Sequence, residues 1–323
     1  MKNLFPIIAC VVAIFSVGFG AWLLGRKSTL ENAKEEIVSQ ITRPFDKYAI
    51  ETLTTAQIPP GSITTEGDRF IFVFSPSLDP EETKKMTGRI TLPSKIGQYP
   101  LILMLRGYVD QTIYSSGVGT QKAGDFFTQN GFITIAPDFL GYADSDREAQ
   151  NIFESRFQTY TTILSLLSSM ESIKEWNKRD IFLWGHSNGG QIALTVLEIT
   201  GKKIPTTLWA PVSKAFPYSI LYYTDESEDH GKLIRRELAK FEQDYDVEKF
   251  SLTNYLDRIN SPLQIHQGTA DDAVPHQWTD ELSKKLLNLD LNYLVYPGAD
   301  HNLKPSWDTV VSRDLAFFRK HLQ

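Results

Sequence analysis

Short apolar runs alternate with longer amphipathic stretches over most of this chain, beginning near residue 69. The apolar runs are rich in β-branched and aromatic residues and are short, so they predict strands. We predict strands at 69–75, 88–92, 100–105, 132–136, 180–184, 206–209, 263–266 and 291–296. The amphipathic stretches predict helices at 124–130, 153–176, 279–289 and 307–321. This alternation predicts an α/β fold, in which helices cover both faces of a mostly parallel central sheet.

A different pattern comes first along the chain. Residues 4–24 contain no charged side chain, and as a helix they would span about 30 Å, enough to cross a bilayer core. Lys2 precedes this segment, and Arg26 and Lys27 follow it. Because no clear small-x-small cleavage site follows, we expect residues 1–27 to be an uncleaved transmembrane anchor rather than a signal peptide. The basic residues on both flanks leave the orientation open, and we prefer an extracytoplasmic location for the rest of the chain.

The remaining chain divides into a linker and one large domain. Residues 28–66 are polar, with a spacing that permits a helix, and a Pro-Pro-Gly sequence interrupts them. We assign residues 67–323 to a single domain with an insertion at about 212–260, where no strand pattern occurs. The insertion follows a strand end, which is where α/β sheets bind ligands. Solvated surface helices and a cap over a pocket therefore both remain open interpretations.

The overall charge excludes one class of partner. The chain carries 33 Lys and Arg against 39 Asp and Glu, which gives a net charge of −6. Binding to a nucleic-acid backbone requires clustered basic residues, so we expect no nucleic-acid partner. No His-Glu-x-x-His or related spacing occurs in the sequence, and we expect neither a metal nor another cofactor. The sequence leaves the oligomeric state open.

The most specific motif surrounds Ser187, which lies between Gly185 and Gly189 in a G-x-S-x-G pattern. The motif follows the predicted strand at 180–184 and precedes a helix-compatible run at 191–198. A strand, a tight turn and a helix form the context of a nucleophile elbow, in which a strained turn exposes the serine hydroxyl. We therefore predict that Ser187 is the nucleophile of a hydrolase.

A serine nucleophile needs a base to take its proton and an acid to orient that base. In folds with a nucleophile elbow these partners follow in the order Ser, Asp or Glu, His. Asp271 and Asp272 come after the predicted strand at 263–266, and His301 comes after the predicted strand at 291–296. We predict that His301 is the base and that one of the two aspartates is its acid.

The tetrahedral intermediate of acyl transfer needs hydrogen-bond donors for its oxyanion. One donor is the backbone N–H of the residue after the nucleophile, here Asn188. The other comes from the loop after the third strand, where Arg106, Gly107 and Tyr108 follow the apolar run at 100–105. We predict the N–H groups of Asn188 and Tyr108 as the two donors.

With these motifs in place, the chain from about Arg69 onward resembles the α/β-hydrolase superfamily. It is most similar to the catalytic domain of prolyl-oligopeptidase-type (S9) serine peptidases and to dienelactone-hydrolase-like enzymes. Gly185–Gly190 resembles the S9 elbow, and the segment at 261–275 is very similar to the family's acid segment. In that segment the acid stands three residues before the valine, so the resemblance implies Asp271 as the acid.

The resemblance also implies a location for the substrate pocket. The segment at 210–213 and the aromatic residues beyond it resemble the lining of the S1 pocket in S9 peptidases. Phe216, Tyr218 and Tyr222 are therefore the candidate pocket residues. Helix packing is an equally open interpretation of these aromatic side chains.

The chain departs from the family pattern at two points near the nucleophile. Arg106 stands where the family often has His of a His-Gly-Gly sequence, and Asn188 stands where S9 elbows often have Tyr. The residues before Arg69 are also too few for the β-propeller that restricts S9 peptidases to short peptides. The resemblance implies a serine peptidase that uses Ser187, Asp271 and His301, and the apolar segment at 4–24 predicts that this peptidase is membrane-anchored. The alternatives are a carboxylesterase or dienelactone-hydrolase-like enzyme on small esters, and a non-catalytic binding protein with the same scaffold.

Overall fold

A nine-stranded sheet organises residues 43–224 and 227–323, the part of the chain that the computed structural model describes. The strands are β1 Ser62–Glu66, β2 Arg69–Phe74, β3 Lys84–Thr91, β4 Tyr99–Leu105, β5 Ile133–Pro137, β6 Trp176–His186, β7 Thr206–Trp209, β8 Leu263–Gly268 and β9 Leu291–Tyr296. Their order across the sheet is β1-β2-β3-β5-β4-β6-β7-β8-β9. The first three strands are antiparallel, and β3 pairs antiparallel with β5, whereas all pairs from β5 to β9 are parallel.

Most helices connect one strand to the next, whereas α1 precedes β1 and α8 follows β9. They are α1 Ile50–Thr55, α2 Gln121–Gln129, α3 Ile152–Ser169, α4 Asn188–Thr200, α5 Tyr218–Leu221, α6 Lys232–Asp244, α7 His276–Lys285 and α8 Trp307–Lys320. A parallel sheet requires such crossover helices, because consecutive strands must begin at the same edge. The predicted α/β-hydrolase fold with a mostly parallel central sheet is confirmed.

Alternate side chains of the central strands enter two separate apolar clusters, one on each face of the sheet. In β4, Leu101, Leu103 and Leu105 belong to one cluster, and Ile102 and Met104 belong to the other. This alternation follows from the two-residue period of a strand. Both faces are buried, which explains why the sequence of β4 is apolar throughout.

Several element ends differ by a few residues from the sequence-based predictions, and three differences are larger. The helix predicted at 153–176 ends at Ser169, and Trp176 already begins β6. Strand β1 was not predicted, because its residues are mostly polar and exposed. The compact unit of this part of the chain begins at Phe45, whereas we had placed the domain boundary at residue 67. Helix α1 belongs to this unit.

In its described residues the segment predicted as an insertion, about 212–260, contains α5, α6 and short 3-10 turns, among them Val247–Phe250 and Leu256–Arg258. Its aromatic side chains pack on helix α3: Phe216 lies 5.6 Å from Phe153 and 5.8 Å from Phe157 between ring centroids. Phe241 of α6 contacts the same two rings. This packing anchors the insertion to the body of the domain.

The predicted membrane anchor, residues 4–24, lies outside the described residues. Across residues 43–224 and 227–323, no helix combines the length and the apolar character needed to span a bilayer.

Candidate active site

Three loops that carry the predicted catalytic residues meet at one edge of the sheet. Ser187 directly follows β6, Asp271 lies in the loop after β8, and His301 lies in the loop after β9. These strands are parallel and are separated in the sheet only by β7, so their carboxyl ends face the same side. The loop after β4, which contains Tyr108, joins them because β4 pairs with β6.

Ser187 has a strained backbone conformation, with φ of 55° and ψ of −119°. A non-glycine residue in this region costs roughly 1–3 kcal/mol, and the surrounding structure must hold it there. Its N–H donates to the carbonyl of Trp209 at 2.9 Å, and its own carbonyl accepts from the N–H of Val212 at 3.1 Å. Gly189 makes the tight turn possible, because a Cβ there would lie 1.9 Å from the carbonyl oxygen of Leu105. The strained turn has the geometry expected of a nucleophile elbow.

Asp271 and His301 form a hydrogen-bonded pair. The Nδ1 atom of His301 lies 2.9 Å and 3.0 Å from the two carboxylate oxygens of Asp271. The N–H groups of Ala273 and Val274 donate to Oδ1 of Asp271, and the side chain of Gln267 donates to Oδ2. Burial raises the pKa of Asp271, but the hydrogen bonds from His301, Val274 and Gln267 outweigh it and lower the pKa overall. The carboxylate is therefore held ionised and can orient the imidazole.

A second histidine ties the base loop to the elbow. His186, the last residue of β6, donates from Nε2 to the carbonyl of His301 at 3.0 Å, and the two rings lie 4.7 Å apart. Burial lowers the pKa of His186 to about 4, and the neighbouring His301 contributes further. His186 is therefore neutral at pH 7 and acts as a hydrogen-bond donor between the two loops.

The loop after β4 passes directly over Ser187. A Cβ on Gly107 would lie 3.0 Å from the Cβ of Ser187, so only glycine allows this approach. Among the described residues, no group accepts a hydrogen bond from the N–H of Tyr108 or of Asn188. Two unengaged donors beside the serine fit the requirement for an oxyanion hole.

Arg106 fixes the orientation of this loop. Its guanidinium donates to the carbonyl of Gly107 at 2.9 Å and to the carbonyl of Asp138 at 2.8 Å. The rings of Tyr142 and Tyr114 lie 4.0 Å and 4.5 Å from the guanidinium carbon. The carbonyl of Gly107 and the N–H of Tyr108 belong to one planar peptide and point in opposite directions. Holding the carbonyl therefore also fixes the direction of the Tyr108 N–H.

A cavity of about 230 Å³ opens beside these donors. Asn188 and Tyr108 lie in its wall, together with Ile192 from the second turn of α4. The other lining residues are Arg106, Phe139, Leu140, Tyr142, Glu148, Ser155, Arg156, Gln158, Thr159 and Thr162. The loop after β5 and the first half of α3 thus form most of the wall.

The aromatic residues predicted for the substrate pocket lie elsewhere. Phe216 is only 4% exposed and belongs to the packing between the insertion and α3. Tyr218 and Tyr222 are 50% and 40% exposed and pack against the ring of Trp278. None of the three lines the cavity. Burial raises the pKa of the neighbouring Tyr223, the nearby Tyr222 and Asp271 raise it further, and Arg156 opposes them.

Two residues of this arrangement were not predicted as functional. Gln267 holds the carboxylate of Asp271 in place, and its own Oε1 accepts from Thr279 at 2.7 Å. In the sequence, Arg106 stands out only as a departure from the family pattern. A charged residue directly after five buried apolar positions was the available signal, since a buried arginine needs specific partners.

This fold and site define a serine hydrolase of the α/β-hydrolase class. The arrangement provides a strained serine, a histidine paired with an ionised carboxylate, and two backbone donors, which together can transfer an acyl group to water. The sequence profile of the prolyl oligopeptidase family (peptidase S9) matches residues 121–323. The chain therefore belongs to the prolyl oligopeptidase family.

Comparison with individual proteins gives more distant matches. The chain is 21% identical over 298 residues to the acetyl esterase Axe7A of Xylanibacter ruminicola, covering 85% of this chain and 62% of that protein. Among solved structures, acetyl xylan esterase from Paenibacillus sp. R4 is similar with a TM-score of 0.61 at 16% identity, covering 86% of this chain and 95% of the other. A protein of Bacteroides ovatus assigned as a dipeptidyl aminopeptidase IV is similar with a TM-score of 0.57 at 16% identity. The match covers 81% of this chain and 36% of the other.

Proposed function

We propose that this protein is a serine esterase that hydrolyses small acyl esters through an acyl-enzyme on Ser187. The observation that carries the proposal is the Asp271–His301 pair beside a strained serine with two unengaged N–H donors. Ser187 Oγ attacks the ester carbonyl while His301 takes its proton, and the N–H groups of Tyr108 and Asn188 bind the oxyanion. The alcohol leaves with that proton, and water then releases the acid by the reverse sequence.

Two observations favour an ester over a peptide as the substrate. The cavity beside the oxyanion donors holds about 230 Å³, which suits a small group rather than several peptide residues. The acetyl esterase and the acetyl xylan esterase match over 85% and 86% of this chain, and their names describe ester hydrolysis.

Active-site labelling tests the proposed nucleophile. We expect a fluorophosphonate probe to label the folded wild-type protein and to leave S187A unlabelled. We also expect S187A to lose p-nitrophenyl acetate hydrolysis by a factor on the order of 10⁴ or more. The control is heat-denatured wild-type protein, in which the elbow is lost and no labelling is expected. Equal labelling of S187A would show that another residue reacts.

A peptidase remains the second candidate, because the family profile that matches residues 121–323 is that of S9 peptidases. Acyl transfer by serine serves esters and amides alike, so the site alone does not separate the two. Parallel assays with p-nitrophenyl acetate and with aminoacyl and dipeptidyl p-nitroanilides distinguish them. We expect turnover of the ester only, and amide turnover with a comparable kcat/KM would establish the peptidase instead.

We further propose that residues 4–24 anchor the enzyme to a membrane. The support for this is the uncharged apolar length of the segment and its basic flanks. Expression of the full chain followed by carbonate extraction of membranes should leave the protein in the pellet. Recovery of the full-length protein in the carbonate supernatant would contradict the anchor without affecting the esterase assignment.

A further inference from the structure

The cavity beside the oxyanion donors contains a cation that lacks an acidic partner. Arg156, in the first half of α3, donates from Nη2 to the side-chain oxygen of Gln191 at 3.1 Å. Its Nε is buried and has no hydrogen-bond partner. Within residues 43–224 and 227–323, no carboxylate lies within salt-bridge distance of this guanidinium. A half-buried guanidinium without an anion is unusual, since a charge loses hydration on burial and normally gains a partner in return.

The orientation of Arg156 is fixed from below by helix α4. Gln191, which accepts from Arg156, is itself buried and donates to the hydroxyl groups of Tyr160 at 2.7 Å and Thr195 at 3.1 Å. Its amide is therefore held with the oxygen toward Arg156. The guanidinium is thus placed by a buried hydrogen-bond network, as expected for a group that meets a ligand.

The other charges of the cavity leave it with an excess of positive charge. Glu148 is the one carboxylate in the wall, and it accepts hydrogen bonds from Gln111 and Ser155 rather than from an arginine. Arg106 is also in the wall, and its two terminal nitrogens are engaged by backbone carbonyls. Two guanidinium groups of the wall therefore face one carboxylate. Arg106 uses both terminal nitrogens on backbone carbonyls, whereas Arg156 has one hydrogen bond, to the side chain of Gln191.

The guanidinium of Arg156 shares its cavity with the residues that carry the proposed oxyanion donors. The cavity that it lines also has Asn188 and Tyr108 in its wall, which carry the proposed oxyanion donors. Gln191, which accepts from Arg156, lies in the first turn of α4, and its N–H donates to the carbonyl of Ser187 at 3.3 Å. One helical turn therefore connects the residue that holds Arg156 to the nucleophile.

We propose that this cavity binds a carboxylate group of the ester substrate and that Arg156 is the residue that recognises it. The inference rests on the proposed esterase function and adds a substrate class, esters that carry a free carboxylate. The planar guanidinium can donate to both oxygens of a carboxylate, which gives orientation as well as attraction. The carboxylate can belong to the acyl half or to the alcohol half of the ester, and both sources are separated by the test.

The test compares anionic esters with uncharged analogues of the same shape. For the acyl half, monoethyl glutarate is compared with the ethyl ester of glutaric acid monoamide. For the alcohol half, acetoxyacetate is compared with acetoxyacetamide. Product formation is followed by chromatography, and the quantity measured is the ratio of kcat/KM for the anionic over the uncharged ester. We expect this ratio to exceed one by about 10- to 100-fold for one of the two pairs, as one charged hydrogen-bond pair provides.

Three variants assign the preference to Arg156. We expect R156M to reduce the ratio at least tenfold, R156K to restore part of it, and R156E to invert it. The ratio cancels any general loss of activity that a substitution causes. R236M is the matched control, because Arg236 lies on the exposed surface of α6 in a salt bridge with Glu237, and its ratio should equal that of the wild type.

Direct binding separates this inference from the esterase proposal. Glutarate and glutaramide are titrated calorimetrically into S187A and into S187A/R156M, which need no turnover. We expect glutarate alone to bind, and only to S187A. A ratio near one for both ester pairs, or equal glutarate binding by the two variants, overturns the carboxylate site. The esterase proposal would then still stand if p-nitrophenyl acetate is hydrolysed, and it falls separately if no ester is hydrolysed while glutarate binds.

Discussion

Two neighbouring aspartates in this chain have different environments. Asp271 is held by two backbone N–H groups, by Gln267 and by His301, and its pKa is lowered by these bonds against the effect of burial. Asp272 is exposed to solvent. One residue along the loop therefore separates a carboxylate that is positioned for catalysis from one that is hydrated. The role of each can be tested at the level of the single residue.

We expect D271N to reduce kcat for ester hydrolysis by a factor on the order of 10⁴, because an amide favours the wrong tautomer of His301. D272N is the matched control, and its kcat should stay within a few-fold of the wild type. Steady-state kinetics with p-nitrophenyl acetate measure both. A large loss in D272N with little effect in D271N would assign the acid to the other carboxylate.

His186 makes the stability of the protein depend on pH. Its pKa falls from 6.5 in the unfolded chain to about 4 in the folded protein, because burial disfavours the charged ring. The contribution of the neutral His186 to the free energy of unfolding is therefore fully present above pH 6.5. It is lost as the pH falls from 6.5 toward 4, because in this range the unfolded chain binds a proton at His186 and the folded protein does not.

This dependence can be measured by urea unfolding at pH 7 and pH 4.5. The free energy of unfolding should fall between these values by about 2–3 kcal/mol more in the wild type than in H186Q. Glutamine keeps a hydrogen-bond donor for the carbonyl of His301 but does not titrate. Identical losses in the two proteins would show that His186 is not the source.

At the scale of an element, the loop after β4 depends on one buried side chain. Arg106 holds the Gly107 carbonyl, and the rings of Tyr114 and Tyr142 enclose its guanidinium. The loop has no regular secondary structure of its own from Arg106 to Asp110. Its shape at the nucleophile is therefore imposed by side-chain contacts rather than by a backbone ladder.

We expect R106M to lower kcat by about 10²–10³-fold, the effect of losing one oxyanion donor. R106K should recover little, because an ammonium cannot bridge two carbonyls in the same plane. Kinetics with p-nitrophenyl acetate measure the effect, and thermal unfolding shows whether the variant remains folded. R179M, at an exposed position, is the control. Wild-type kcat in a folded R106M would mean that the loop holds its shape without Arg106.

At the scale of the whole molecule, the residues before the first long strand are part of the packed unit. Tyr48, Ile50 and Leu53 are buried in the main apolar cluster, and β1 pairs with β2 along its full length. Burial of each such side chain contributes roughly 1.5–3 kcal/mol. Their sum is comparable with the 5–15 kcal/mol that typically separates folded from unfolded domains.

A truncation series tests this extent of the domain. A chain of residues 43–323 should unfold cooperatively and retain ester hydrolysis, whereas residues 67–323 should be recovered insoluble or unfolded. Circular dichroism and the cooperativity of thermal unfolding distinguish the two. A stable, active 67–323 chain would show that the preceding residues are an independent linker.

Periodic features of this fold could be predicted from the sequence. The strands Thr206–Trp209 and Leu291–Tyr296 were predicted with their observed bounds, because short β-rich runs between turn signals are visible locally. Strand β1 was missed, since a polar edge strand carries no apolar pattern. The helix predicted to reach Trp176 ends at Ser169, and Trp176 is the first residue of β6. Trp176 is buried because it belongs to the sheet, and its apolar character therefore did not indicate a helix.

The linear order of Ser187, Asp271 and His301 and the turn around the serine are properties of the sequence alone. Strand, turn and glycine signals are local, so they locate candidate residues without knowledge of the packing. Only the tertiary structure decided which charges remain unpaired, that Phe216 lies in the core, and that Arg106 and Arg156 share one cavity with Tyr108 and Asn188. These properties depend on contacts between residues that are distant in the chain. Such contacts form only when the order of the strands in the sheet brings those residues together.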